Sequence, residues 1–376
     1  MVAPFIAVRV SLLAARCSLL AAFVVVAGCS GSGGTASSVN PPAPSPTASA
    51  TASPAPTASP SPTPAAATVF VANQGTSSVT GYPVGASGIP TAVPAATIAG
   101  SNTGIGAPGD IALDASGRIY VANQTTITVY PANPVGTLNE APIATIDVNA
   151  STGGGCFPGY GIGVDGTGKI YSACPGEFVV YAANPSGTVT TPPIATVSSS
   201  TGLPIAEVHH FAFDASGRIY VTDNVSGITV WAANPMGTVS EAPLARIPRD
   251  ATTTLNYPWG IAVDATGRIT VFDTGRILVF APVTTGTVDV PPIATISGSN
   301  TQLDGGNDGL TIDASGTIYE ANDLSGSVLL FSPNPLGTLN EAPLATISGS
   351  ASGVNGPRGV AILPGGVNGA ARRRSR

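Results

Sequence analysis

Between residues 67 and 366 the apolar positions fall in short runs of four to six, separated by Asp, Gly, Asn and Pro. Nowhere in this region do they recur at the i, i+3, i+4, i+7 spacing of an amphipathic helix. One phrase, Asp114-Ala115-Ser116-Gly117-Arg118-Ile119-Tyr120-Val121-Ala122-Asn123, returns with small changes from Asp165, Asp214, Asp264 and Asp313, at intervals of 51, 49, 50 and 49 residues. A second phrase follows it, Tyr130-Pro131-Ala132-Asn133-Pro134-Val135-Gly136-Thr137 and then Glu140 to Ile146, with a close relative at Phe331 to Ile347.

Each unit holds four runs rich in branched residues, which in the second unit are Asp110 to Asp114, Arg118 to Asn123, Thr126 to Tyr130 and Pro142 to Ile146. Between the first two runs, Asp-x-x-Gly suits a hairpin loop: Asp bonds nearby backbone and Gly takes the left-handed position. First runs such as Gly260-Ile261-Ala262-Val263 are apolar on both faces and must be covered on both, as radially stacked sheets do. A four-strand unit of this period predicts an all-β propeller. Gly359 to Leu363 matches a first strand with no second after it, and Thr68 to Asn73 a second strand with no first before it. Joined, they complete one blade from both ends of the domain. The expectation is therefore a monomeric six-bladed β-propeller of four-stranded blades over residues 67 to 366, with its sheet edges hidden by closure.

The phrase Pro258-Trp259-Gly260-Ile261-Ala262-Val263-Asp264, followed by Gly267-Arg268-Ile269, resembles the NHL repeat. Similar units occur in the wider six-bladed group that includes the gluconolactonase-like propellers. The long second half of each unit departs from the common NHL pattern, so the resemblance implies architecture far more than chemistry.

The flanking segments read as addresses. Arg9 and Arg16 precede a short apolar stretch, Cys17 to Val26, too short to span a bilayer, and the run ends Val26-Ala27-Gly28-Cys29. This ending resembles a bacterial lipobox, which implies a signal over residues 1–28 and lipidation at Cys29. With Ser30 next, the resemblance implies an extracytoplasmic protein anchored to a membrane, the outer membrane or cell surface in a Gram-negative cell. Residues 29–66 carry no charge and no aromatic and are rich in Pro, Ser, Thr and Ala. They are expected to form a disordered stalk reaching on the order of 100 Å at ~3.1 Å per residue. Arg372, Arg373, Arg374 and Arg376 make a basic tail over residues 367–376, either frayed in solvent or touching anionic lipid or glycan.

Composition adds three points. Charged residues are only 9% of the chain, and residues 67 to 366 carry 20 acidic against 8 basic, a balance of −12 that argues against nucleic acid. Cys156 and Cys174 remain as an even pair once Cys17 and Cys29 are accounted for, and in an exported protein they suggest a disulfide, with free buried thiols the alternative. The two histidines are adjacent, which does not suit a zinc site built from separated imidazoles, and no Gly-x-Ser-x-Gly elbow or phosphate loop occurs.

Five residues before each turn Asp, or before the equivalent Leu363, stand Gly109, Tyr160, His209, Trp259, Asp308 and Arg358, followed by Asp110, Gly161, His210, Gly260, Gly309 and Gly359. Both sets are expected at the mouth of the central channel, on the face where the repeats diverge. Tyr160, His209, His210, Trp259, Asp308 and Arg358 would form a pocket for a glycan, peptide or small molecule. The structural alternative is that the aromatics plug the channel while Asp308 pairs with Arg358. No cofactor is expected on the first reading. A lactonase-like hydrolase would instead hold a calcium-type ion through Asp110, Asn307 and Asp308, although Arg358 in the same ring opposes a cation. A spacer without a ligand is the third reading. At the second-strand ends, Asn73, Asn123, Cys174, Asp223, Asp273 and Asn322 are expected to hold neighbouring loops. Cells expressing the chain should incorporate labelled fatty acid into it, and Cys29→Ala should abolish the label; labelling that survives the substitution would refute the lipobox reading.

Overall fold

The computed structural model describes residues 67–200, 205–306 and 309–365. The leader, Cys29, the stalk, the basic tail, Asn307 and Asp308 lie outside the described residues. The described chain is a six-bladed β-propeller. Its inner strands are Asp110–Leu113, Ile162–Val164, Val208–Phe213, Pro258–Val263, Leu310–Ile312 and Pro357–Leu363, and each lies beside the inner strands of both neighbours, which closes the ring. In the first blade Pro357–Leu363 pairs antiparallel with Thr68–Asn73, Val360 opposite Val71, so the two ends of the domain share one sheet.

The Asp-x-x-Gly turns form as their chemistry dictates. Asp114 Oδ1 accepts from the backbone and hydroxyl of Ser116 and from the Arg118 amide, while Oδ2 accepts from Arg118 Nε and the Tyr120 hydroxyl. Gly117 closes the turn with φ 84°. Asp165, Asp214, Asp264 and Asp313 repeat the carboxylate's grip on the turn backbone. Each turn tyrosine, Tyr120, Tyr171, Tyr220 and Tyr319, is thereby fixed with its ring in the core between blades.

Four-stranded blades were the expectation; five of the six sheets have a fifth strand. The Asn-Pro-x-Gly-Thr phrase is the reason in four of them, and Thr284-Thr285-Gly286-Thr287 takes its place in the other. Asn133, Asn184, Asn234 and Asn334 adopt left-handed conformations, the chain reverses, and the following Gly-Thr segment leaves its own blade. Gly136–Leu138 pairs in parallel with Ala96–Ile98 of the preceding blade, and Gly187–Val189, Gly237–Glu241, Gly286–Thr287 and Gly337–Leu339 repeat the crossing. A charged residue after the turn glycine secures the stitch in three blades: Arg118, Lys169 and Arg268 reach Asn184, Asn234 and Asn334 of the next blade. The first blade has no such phrase between Ser78–Pro83 and Ala96–Ile98, and the sixth sheet has four strands among the described residues.

Around the axis the blades meet backbone to backbone. A Cβ on Gly161 would lie 1.6 Å from the His209 carbonyl oxygen, and one on Gly109 would lie 1.9 Å from that of Gly159. Gly109, Gly161, Gly309 and Gly359, among the residues expected to outline the mouth, are points where neighbouring blades touch. Below them the inner strands enclose a cavity of about 250 Å³. Gly161→Ala should cost about 3 kcal/mol of stability through overpacking, whereas Gly166→Ala, which meets nothing within 4 Å, should be nearly neutral. Equal urea midpoints for the two variants would show that this contact does not limit the ring.

Candidate functional site

The face carrying the blade-to-blade loops is organised by the side chains that end the second strands. Asn73, Asn123 and Asn322 accept through Oδ1 from the amides of Asn355, Gly106 and Asp304. Asp223 receives the Ala206 and Glu207 amides, and Asp273 those of Asn256 and Tyr257. In the third blade a covalent link replaces the hydrogen bond: Cys174 forms the disulfide to Cys156, in the loop that precedes that blade's inner strand. A single turn of 3-10 helix, Pro158–Tyr160, follows Cys156 and presents Tyr160 half-exposed.

The fourth and fifth blades share a further device. Pairing between Val208–Phe213 and Ile219–Asp223 shifts register between Val208 and Phe211, and pairing of Pro258–Val263 with Ile269–Asp273 shifts between Pro258 and Ile261. Such bulges re-aim the side chains they contain. The buried Thr222 hydroxyl joins the two, accepting from the His210 amide and donating to the Trp259 carbonyl at 2.6 Å.

The adjacent histidines consequently serve different places. His210 enters the central cavity, with Nδ1 3.5 Å from Asp110 Oδ2. Asp110 also accepts from the Ile111 and Ile162 amides, so this one carboxylate of the second blade joins the third and fourth. Burial raises its pKa above the usual carboxylate range. His209 lines a separate cavity of about 380 Å³ with Tyr160, Tyr257, Trp259, Glu207 and Asn224. Its ring lies edge-on to Trp259 and Tyr160, with centroids 3.6 and 6.0 Å away, and Tyr257 lies 6.2 Å from Trp259 at 37°. His209 is only 2% exposed, and neither ring nitrogen makes a hydrogen bond. Burial, with His210 beside it, pushes its pKa down to about 3, so at neutral pH it is an uncharged ring.

At the rim of this cavity Glu207 Oε2 accepts from Asn224 Nδ2 at 3.0 Å and from the Tyr257 hydroxyl at 3.5 Å. Arg249 lies over the Tyr257 ring, 5.5 Å from its centroid, and donates to the Asn224 carbonyl.

The ring of residues expected at one mouth is therefore divided. Tyr160, His209 and Trp259 come together; His210 belongs to the channel; Arg358 pairs with Asp323 at 3.1 Å. Among the described residues, the blades meet backbone to backbone near the axis, and the bulges of the fourth and fifth blades re-aim His209 and Trp259 into a cavity of their own. Glu207 and Tyr257 were missed by counting one position per blade. Each stands two residues before a predicted site residue, His209 or Trp259, at the edge of a bulge whose register shift no local pattern in the sequence signals.

Of the residues considered for a calcium-type ion, Asp110 alone is described, and two amide donors and an imidazole occupy its carboxylate. That setting does not fit a cation. Among the described residues the one grouping of three metal-capable side chains is Cys156, Cys174 and Glu177, and its two sulfurs are joined as a disulfide.

No protein-family model matches the chain, and no curated protein matches it in sequence. Solved structures do match in shape. A protein of unknown function from Bacteroides caccae, 10% identical, aligns over 79% of this chain and 99% of its own with a TM-score of 0.50. A chain of a nidogen/laminin complex, 13% identical, aligns over 79% and 98%, also at 0.50. These likenesses concern the fold alone, and that fold is a six-bladed β-propeller. A periplasmic gluconolactonase of Pseudomonas aeruginosa matches at 12% identity and a TM-score of 0.48, over 79% of this chain and 99% of its own. Identities this low establish fold and leave chemistry to the site itself.

His209 also makes a pH prediction. The unfolded imidazole, with a pKa near 6.5, takes up a proton well before the folded one, near 3. Stability from this group is complete above about pH 6.5 and falls as pH drops toward 3, by up to about 1.4 kcal/mol per pH unit. His209→Phe should flatten that part of the stability profile between pH 7 and 4. An unchanged profile would mean that His209 is not held neutral.

Proposed function

We propose that this protein is a ligand-binding propeller, carried outside the cytoplasm on a lipid-anchored stalk, that takes a small molecule or one unit of a larger one in the cavity of the third, fourth and fifth blades. The observation that carries this reading is the cavity of about 380 Å³ walled by Tyr160, His209, Tyr257 and Trp259. Its volume lies in the range of small-molecule sites, and aromatic walls with a few polar groups are what such sites use to hold and orient a ligand. The disulfide and the Thr222 bridge support the reading, because they tie down the loop bearing Tyr160 and the bulges bearing His209 and Trp259. Rigid walls reduce the ordering cost of binding.

Binding is favoured over catalysis by the state of the imidazole. A base whose pKa is near 3 is poorly matched to proton transfer at neutral pH, and His209 hydrogen-bonds to no hydroxyl, thiol or carboxylate. The Pro- and Ser-rich residues 29–66 support a role in which the propeller is held away from a surface.

A thermal-shift panel of glucose, N-acetylglucosamine, choline, glycine and alanine dipeptides tests the proposal. At least one class should raise the melting temperature, Trp259→Ala should remove the rise, and Arg358→Ala, on the far side of the ring, should keep it. A panel with no response, or one indifferent to Trp259, would overturn it.

A further inference from the structure

We propose that the ligand of the aromatic cavity is an organic cation of the methylated-ammonium class. The inference rests on reading that cavity as a ligand site and adds the chemistry of its occupant.

Ring geometry comes first. A sugar ring needs a flat aromatic face laid parallel to it. Here the planes cross: His209 meets Trp259 at 69° and Tyr160 at 79°, and Tyr257 tilts from Trp259 by 37°. Rings inclined to one another surround a compact ligand instead of supporting a flat one. Their faces carry the negative end of the ring quadrupole, which attracts a positive group within about 6 Å of the centroid.

Charge comes second. The acidic side chain lining the cavity is Glu207, held at the rim by Asn224 and Tyr257. His209, the histidine among the cage rings, is uncharged at neutral pH and does not repel a cation. Arg249 is the neighbouring positive charge; it is not part of the cavity wall, and its head is occupied by the Asn224 carbonyl. Its guanidinium lies over the Tyr257 ring, the arrangement by which an aromatic face holds a cation. Residues 67 to 366, with 20 acidic and 8 basic side chains, attract cations at long range.

Donor supply comes third. An anion requires several free N–H or O–H groups. The Asn224 amide nitrogen is committed to Glu207, the Tyr257 hydroxyl reaches the same carboxylate and the His209 nitrogens are enclosed, which leaves the Tyr160 hydroxyl and the Trp259 indole as the other side-chain donors of the wall, too few to hold an anion. A bare ammonium would lose water without gaining several acceptors, whereas methyl groups on nitrogen need none.

Calorimetric and Trp-fluorescence titrations of the full propeller at low salt, with choline, its uncharged carbon isostere 3,3-dimethylbutan-1-ol, and glucose, decide the matter. Choline should bind about tenfold more tightly than the isostere. Glu207→Gln should weaken choline several-fold, Trp259→Ala should abolish binding, and Arg249→Ala should tighten it. Glu207 and Arg249 are exposed, so those two variants read the site without disturbing the core. If the isostere or glucose binds as well as choline, and does so through Trp259, the cation inference falls while the cavity remains a binding site. If none of the three binds, choline has failed its cage, and the cavity reading then stands or falls on the wider ligand panel.

Discussion

Everything else in the molecule depends on one ladder, the antiparallel pairing of Pro357–Leu363 with Thr68–Asn73. Each inner strand packs against inner strands on both sides, so a ring with a missing member exposes apolar surface on two blades at once. Sharing the first sheet between the ends of the domain makes closure a backbone hydrogen-bonding event as well as a packing one. Val69 and Val71 then complete the cluster with Tyr319, Val328 and Leu330 of the sixth blade. A long-range contact of this kind is entropically expensive to form and is repaid only by the whole ring.

The parallel fifth strands distribute that dependence. Each Gly-Thr segment covers the outer edge of the preceding sheet, so neighbouring blades share hydrogen bonds at the rim as well as apolar contacts near the axis. The same segment blunts an edge that would otherwise be open to another chain. This accounts for the near-constancy of the turn face from blade to blade: its Asp, Gly, Asn and Pro residues meet geometric requirements identical in each repeat. The opposite face has no such duty and carries the individual chemistry.

Tight packing at the axis also decides where that chemistry can sit. With the inner strands in backbone contact, three described polar residues near the centre are drawn into structure. Asp110 and His210 bind blades together, and Arg358 turns to Asp323. Three successive blades have loops and bulges that lift aromatic side chains off the axis, and the cavity forms between them. In a chain with so few charges, the Glu207 carboxylate and the neutral His209 ring set the character of that cavity.

Much of this was legible in the residues. The spacing of the Asp-x-x-Gly phrases implied blades, the split match at the two ends implied six of them, and the pairing of Cys156 with Cys174 agreed with their even count and their proximity in the repeat. Tyr160, His209 and Trp259 were found as neighbours because equivalent positions in a ring of repeats meet on one face. Period and turn chemistry are local properties, and a local code reads directly from the chain. The partner of Arg358, the separate fates of His209 and His210, the crossing of each Gly-Thr strand into the preceding sheet, and the recruitment of Glu207 and Tyr257 are of another kind. They depend on a one-residue register shift and on how closely two backbones approach, and both are set by packing between blades that no single repeat contains.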